Sequence, residues 1–126
     1  MSDVTMTMRN LIANAVYSGQ SAEYIAGIAD DKLRDQAENY TPTNLHLLQY
    51  HVTNALKHPK NYTDVAKNRT FIDAEINALA TKIDREPLGP AITSEFWMWE
   101  CFIDYEFIAQ VCKIVADTKL VGGKKR

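Results

Sequence analysis

Residues 94–121 read SEFWMWECFIDYEFIAQVCKIVADTKLV, and this stretch decides the fold class. At 100° per residue it predicts one helix from Ser94 to Val121 with two broad apolar faces. The first face holds Trp97, Met98, Cys101, Tyr105, Ile108, Cys112 and Val115, and the second holds Phe96, Ile103, Phe107, Val111 and Ile114. A helix that is apolar over so much of its circumference is expected at the centre of the domain or partly in an interface.

A narrow polar strip remains on this helix, and it contains one tryptophan. Its members are Glu95, Trp99, Glu106, Gln110, Lys113 and Asp117. An indole flanked by carboxylates is typical of an interface anchor or a ligand-stacking platform. We therefore take Trp99, Trp97, Glu95 and Glu106 as candidate interface or stacking residues. The alternative is that this dense aromatic cluster belongs to the core.

Two carboxylates of the same helix, Glu100 and Asp104, lie one turn apart within an otherwise apolar sector. They repel each other at this spacing, and their burial is costly unless a cation or hydrogen-bond donors compensate. A buried acidic pair of this kind could act as an acid with a raised pKa, as two metal ligands or as a socket for a partner's Arg. Alternatively, both side chains reach solvent or pair with a Lys or Arg of the chain.

Caps and breakers divide the preceding chain into further helical regions. They are predicted over residues 4–17, 21–37 and 41–58, and from residue 63 or 70 to residue 84. Asp3 is the expected cap of the first helix, and Ser18-Gly19 is its expected end. Gly27 with Asp30-Asp31 predicts a break near residue 29. The chain is thus predicted to be all-α, a compact bundle of five to six helices with the long, highly apolar C-terminal helix at its centre.

Length and composition fit one domain, residues 1–121, followed by a flexible basic tail, residues 122–126. The 126 residues are 46% hydrophobic and 24% charged, and only 5 Gly and 4 Pro are present, which disfavours a many-stranded β fold. Without the three basic residues 124–126, 11 basic and 16 acidic residues remain, a net charge of about −5. An acidic body disfavours binding to nucleic acid.

Neither a signal peptide nor a membrane-spanning stretch is predicted. Cys101 and Cys112 are expected about 16 Å apart on one helix, too far for a disulfide, so free thiols in a cytoplasmic protein are predicted. His46, His51 and His58 lack metal-ligand spacing and are interpreted as ordinary surface or core histidines. No phosphate loop occurs. We therefore expect no cofactor, no metal and no catalytic activity.

The sequence leaves three functional hypotheses. The first is a non-catalytic protein-interaction module, an adaptor, inhibitor or small regulator, with a protein partner or a second copy of itself as its target. In size, charge and lack of motifs the chain resembles small all-helical phage or mobile-element proteins that block host machinery, including some anti-CRISPR inhibitors. The second is a small-molecule or nucleotide-binding helical module, and the third is a small metal- or carboxylate-dependent enzyme.

Overall fold

The computed structural model describes residues 4–36, 45–85 and 104–124. Within these ranges the chain forms helices joined by turns, which confirms the all-α prediction. The elements are α1 (Met6–Tyr17), α2 (Ala22–Gln36), α3 (Leu45–Lys57), a 3₁₀ helix (Pro59–Tyr62), α4 (Val65–Arg85) and α5 (Tyr105–Lys124). No helix among the described residues has the length and hydrophobicity needed to cross a membrane.

The ends of α1 are set by local chemistry. The hydroxyl of Thr5 accepts a hydrogen bond from the backbone N–H of Met8 at 3.2 Å, so Thr5 caps the helix. Asp3, the predicted cap, lies outside the described residues. At the other end Gly19 has a φ of 75°, a left-handed conformation that is easiest for glycine. The predicted stop at Ser18-Gly19 is confirmed.

The predicted break near residue 29 is wrong, because α2 is continuous from Ala22 to Gln36. Ser21 caps it by accepting the N–H of Tyr24 at 3.1 Å. Asp30 is buried, but its carboxylate lies 3.2 Å from the guanidinium of Arg34 one turn later. This pairing compensates the buried charge and lets the helix run through the acidic positions.

The core of the described residues includes apolar side chains of α5. This helix packs against α1, α3, α4 and the 3₁₀ helix, while α2 packs against α1 and α3. Both predicted apolar faces of α5 are buried where the structure describes them, except for Tyr105, which is partly buried. Their buried members are Phe107, Ile108, Val111, Cys112, Ile114 and Val115. The number of helices in the bundle and the central position of the last helix stay predictions.

The bounds of α5 differ from the sequence prediction at both ends. The helix begins at Tyr105 because Asp104 is not helical and its carboxylate accepts the N–H of Phe107 at 3.0 Å. Residues 94–103 of the predicted helix lie outside the described residues. At the other end the helix continues to Lys124, beyond the predicted end at Val121. Glycine disfavours a helix by about 1 kcal/mol per residue but does not prevent one.

Candidate functional site

Most of the candidate residues taken from the sequence are not described by the structure. Glu95, Trp97, Trp99 and Glu100 lie in residues 86–103, outside the described ranges. Their proposed roles as interface anchors and as half of an acidic pair stay predictions. Two candidates, Asp104 and Glu106, can be placed.

Asp104 is half-buried and acts as the N-terminal cap of α5. Its carboxylate satisfies a backbone N–H that has no partner within the helix, and its negative charge lies at the positive end of the helix dipole. Asp104 therefore has a structural partner of its own. A pairing with Glu100 stays a prediction.

Glu106 lies on the polar strip of α5 and belongs to a small network. One carboxylate oxygen lies 3.5 Å from the guanidinium of Arg69 on α4, and the other accepts a hydrogen bond from Gln110 at 3.2 Å. Gln110 in turn accepts the backbone N–H of Val4 at 2.9 Å. Glu106 thus helps to tie α4 and α5 to the segment that precedes α1.

The structure contains a cleft between α3, the 3₁₀ helix and α4 that was not predicted. Its volume is about 370 Å³, within the range of ligand sites in proteins. We call it the aromatic cleft. It is lined by Tyr50, Asn54, His58, Asn61, Tyr62, Lys67, Phe71 and Glu75.

Two aromatic side chains of the cleft are half-exposed. Tyr50 on α3 is 50% exposed and Phe71 on α4 is 47% exposed. Each ring meets the imidazole of His51 edge to face, with an interplanar angle of 81° and centroid distances of 5.1 Å for Tyr50 and 5.9 Å for Phe71. Tyr62 completes the cluster, since its ring packs on that of Phe71 at 6.0 Å. Because Tyr50 and Phe71 both pack against His51, the positions of their rings are set in the absence of a ligand.

His51 is fully buried behind the cleft and is held as a neutral imidazole. Burial lowers its pKa to about 4. Its Nδ1 lies 3.2 Å from the hydroxyl of Tyr62, and its Nε2 lies 3.4 Å from Oε1 of Glu75. The Nε2–H tautomer fits both neighbours, because Nδ1 then accepts from the tyrosine and the N–H faces a carboxylate. The contact with Glu75 is close, but its geometry is not that of a hydrogen bond.

Glu75 forms the acidic end of the aromatic cleft. Its side chain is 31% exposed, and Oε2 accepts a hydrogen bond from the hydroxyl of Tyr50 at 3.2 Å. Oε1 is buried without a hydrogen-bond partner among the described residues. Burial raises the pKa of Glu75 above its usual value, and the hydrogen bond from Tyr50 partly opposes this effect. The carboxylate is therefore fixed in place but incompletely satisfied.

A shallow, open depression, here called the α4 groove, continues from the cleft along one face of α4. It is lined by Ala66, Lys67, Thr70, Phe71 and Ala74. Lys67 and Phe71 belong to both depressions. The cleft and this α4 groove therefore form one extended surface that is longer than a single compact pocket.

The remaining potential metal ligands and the thiol of the described residues are dispersed or buried. No three His, Cys, Asp or Glu side chains among residues 4–36, 45–85 and 104–124 are grouped as metal ligands would be. Cys112 is fully buried, and burial raises the pKa of its thiol, which disfavours the reactive thiolate. Burial likewise raises the pKa of the Tyr62 phenol.

Sequence reasoning missed the cleft, although one signal pointed to it. His51 follows Leu48 by three residues and precedes Val52 and Ala55, so it falls on the apolar stripe of α3. A histidine on such a stripe must find polar partners when it is buried. Those partners, Tyr62 and Glu75, come from two other elements, and their identity required the packing of α3 against its neighbours.

Comparisons with known proteins add no functional assignment. The chain matches no protein-family model, no curated protein and no solved structure.

Proposed function

We propose that the protein is a non-catalytic interaction protein, an adaptor, inhibitor or small regulator, and that it binds a protein partner through the aromatic cleft and the α4 groove. The observation that carries this proposal is the pair of half-exposed rings, Tyr50 and Phe71, held over a cleft. Aromatic side chains fixed in this way are the residue type that most often anchors protein interfaces.

The shape of the surface favours a protein segment over a small molecule. The α4 groove extends the cleft through the shared residues Lys67 and Phe71. An extended surface of this form suits a peptide or a helix edge, with one side chain in the cleft and the rest along α4. The partner is a different protein or a second copy of this chain.

The state of His51 supports a binding role. A general base must reach the proton that it removes. The His51 ring is fully buried, and its Nδ1 is occupied by Tyr62. We therefore assign His51 the role of holding the rings of Tyr50, Tyr62 and Phe71 in place.

Site-specific photocrosslinking tests the proposal. A benzophenone amino acid at position 71 is expected to crosslink to a protein partner in the native host. The same group at position 24 is the matched control, because Tyr24 is 52% exposed and Phe71 is 47% exposed, but Tyr24 lines neither depression. Light scattering of the protein alone then shows whether the partner is a second 14.3 kDa chain. Equal crosslinking at the two positions would contradict the proposal.

A second candidate function is the binding of a small molecule in the aromatic cleft alone, which its volume of about 370 Å³ allows. Thermal stabilisation of the wild-type protein by a metabolite would favour this alternative, provided that Phe71→Ala abolishes the effect.

A further inference from the structure

The side chains of the aromatic cleft differ in charge and depth. Glu75 lies at its inner end beside the buried His51, whereas Lys67 is exposed. Tyr50 and Phe71 line the space together with these two residues. A ligand in the cleft can therefore contact aromatic rings and a carboxylate together.

We propose that the inner end of the aromatic cleft is a subsite for the guanidinium group of an arginine side chain of the partner. This inference rests on the proposed function and specifies the chemistry that the cleft recognises. A guanidinium is planar, stacks on aromatic rings and pairs with carboxylates, so one group uses both features of the cleft.

The carboxylate is suitably held for this role. The hydroxyl of Tyr50 binds Oε2 of Glu75 at 3.2 Å, which fixes the orientation of the carboxylate. Oε1 is buried and faces Nε2 of His51 at 3.4 Å, so a guanidinium would pair with Oε2, which keeps a lone pair beside its exposed hydrogen bond from Tyr50. Arrival of a cation would lower the electrostatic cost of this partly buried charge, which the neutral imidazole of His51 leaves uncompensated.

Two amides provide further hydrogen-bonding capacity. Asn54 and Asn61 line the same cleft. The amide oxygen of either residue can accept a hydrogen bond from a guanidinium N–H.

Lys67 opposes a bound cation and provides a test of the charge requirement. Its side chain is exposed, so water and salt screen its repulsion more strongly than the attraction of the partly buried Glu75. Removal of the Lys67 charge should strengthen arginine binding, whereas removal of the Glu75 charge should weaken it. No single steric effect produces both changes.

The experiment is a titration of the protein with N-acetyl-arginine amide, followed by two-dimensional NMR. The matched ligand is N-acetyl-citrulline amide, which has nearly the same shape but no charge. Arginine is expected to shift the amide signals of Tyr50, Phe71 and Glu75 with a Kd on the order of 1 mM, and citrulline is expected to bind at least about tenfold more weakly.

Three variants separate the contributions. Glu75→Gln should weaken arginine binding by at least about tenfold, and Lys67→Gln should strengthen it by about twofold to threefold. Asp73→Asn is the control on the same helix, because Asp73 is exposed and does not line the cleft. It should change the Kd by less than about twofold. A thermal melt of each variant confirms that it is folded.

Three results would overturn the inference. They are equal binding of arginine and citrulline, no binding of either ligand, and an arginine affinity that is the same in Glu75→Gln as in the wild type. These outcomes are distinct from failure of the proposed function. A specific crosslink at position 71 with no arginine preference would leave the protein interface in place and remove only the guanidinium subsite.

Discussion

Nδ1 of His51 lies 3.2 Å from the hydroxyl oxygen of Tyr62, and both side chains are buried, at 0% and 2% exposure. This hydrogen bond joins α3 to the 3₁₀ helix inside the core. Tyr62→Phe removes the hydroxyl and leaves a buried imidazole nitrogen without its donor. We expect a loss of about 1–3 kcal/mol in the free energy of unfolding, measured by urea denaturation. Tyr50→Phe, at a half-exposed site, should change it by less than about 0.5 kcal/mol. Equal losses would contradict the assignment.

The stability of the protein should fall in mildly acidic solution because of His51. Its pKa is about 4 in the folded protein and 6.5 in an unfolded chain, so the unfolded state binds the proton first as the pH falls. The stability that neutral His51 provides is fully present above about pH 6.5. It is lost between about pH 6.5 and 4, and this loss in the free energy of unfolding reaches up to about 3 kcal/mol. Urea denaturation across this range should give a flatter pH dependence for His51→Asn.

Glu75 affects the pH dependence of stability in the opposite direction from His51. Its pKa is raised in the folded protein, so the folded state takes up this proton more readily than the unfolded chain does. Glu75 therefore favours folding as the pH falls through its raised pKa. Glu75→Gln should make the acid-side loss of stability steeper than in the wild type, and an unchanged or shallower slope would count against this assignment.

Asn68 is the buried polar residue of α4, and its replacement should be costly. Its side-chain N–H₂ donates to the carbonyl of Tyr62 at 3.0 Å and to that of Ala109 at 3.2 Å. Asn68→Ala removes both hydrogen bonds, and we expect a loss of about 2–3 kcal/mol in the free energy of unfolding. Asn77→Ala, at an exposed position of the same helix, should cost less than about 0.5 kcal/mol. Chemical denaturation of the two variants makes the comparison.

Substitution of Asp104 tests whether this residue acts only as a helix cap or has another role as an acid. As a cap it can be replaced by Asn with a loss of only a few tenths of a kcal/mol, whereas Ala should cost about 1 kcal/mol. Thermal or urea unfolding distinguishes these outcomes. A large loss in Asp104→Asn would indicate that the negative charge itself has a partner. A double-mutant cycle with Glu100→Gln then measures whether the predicted acidic pair exists.

The features that could be predicted from sequence are local ones. Ser18-Gly19 ends α1 and Ser21 caps α2 because both effects involve residues only a few positions apart. The predicted break in α2 failed because residue propensities do not report how Asp30 is paired. Its partner, Arg34, lies one turn later and compensates the charge within the helix.

The cleft could not be predicted because its residues belong to different elements. Tyr50 and Glu75 are 25 positions apart, and they meet only when α3 and α4 both pack against α5 and the 3₁₀ helix. His51 gave a partial signal as a polar residue on an apolar stripe. The sequence does not contain the relative positions of the helices, so it could indicate that His51 has partners but not which residues they are.

Tyr62 connects the aromatic cleft to a helix that does not line it. Its hydroxyl binds His51, its backbone carbonyl accepts from Asn68, and the same Asn68 amide reaches Ala109 on α5. A ligand that fixes Tyr62 therefore also disfavours local opening of α5. Filling the cleft should slow the hydrogen exchange of amides around Ala109, although the lining residues all belong to other segments of the chain.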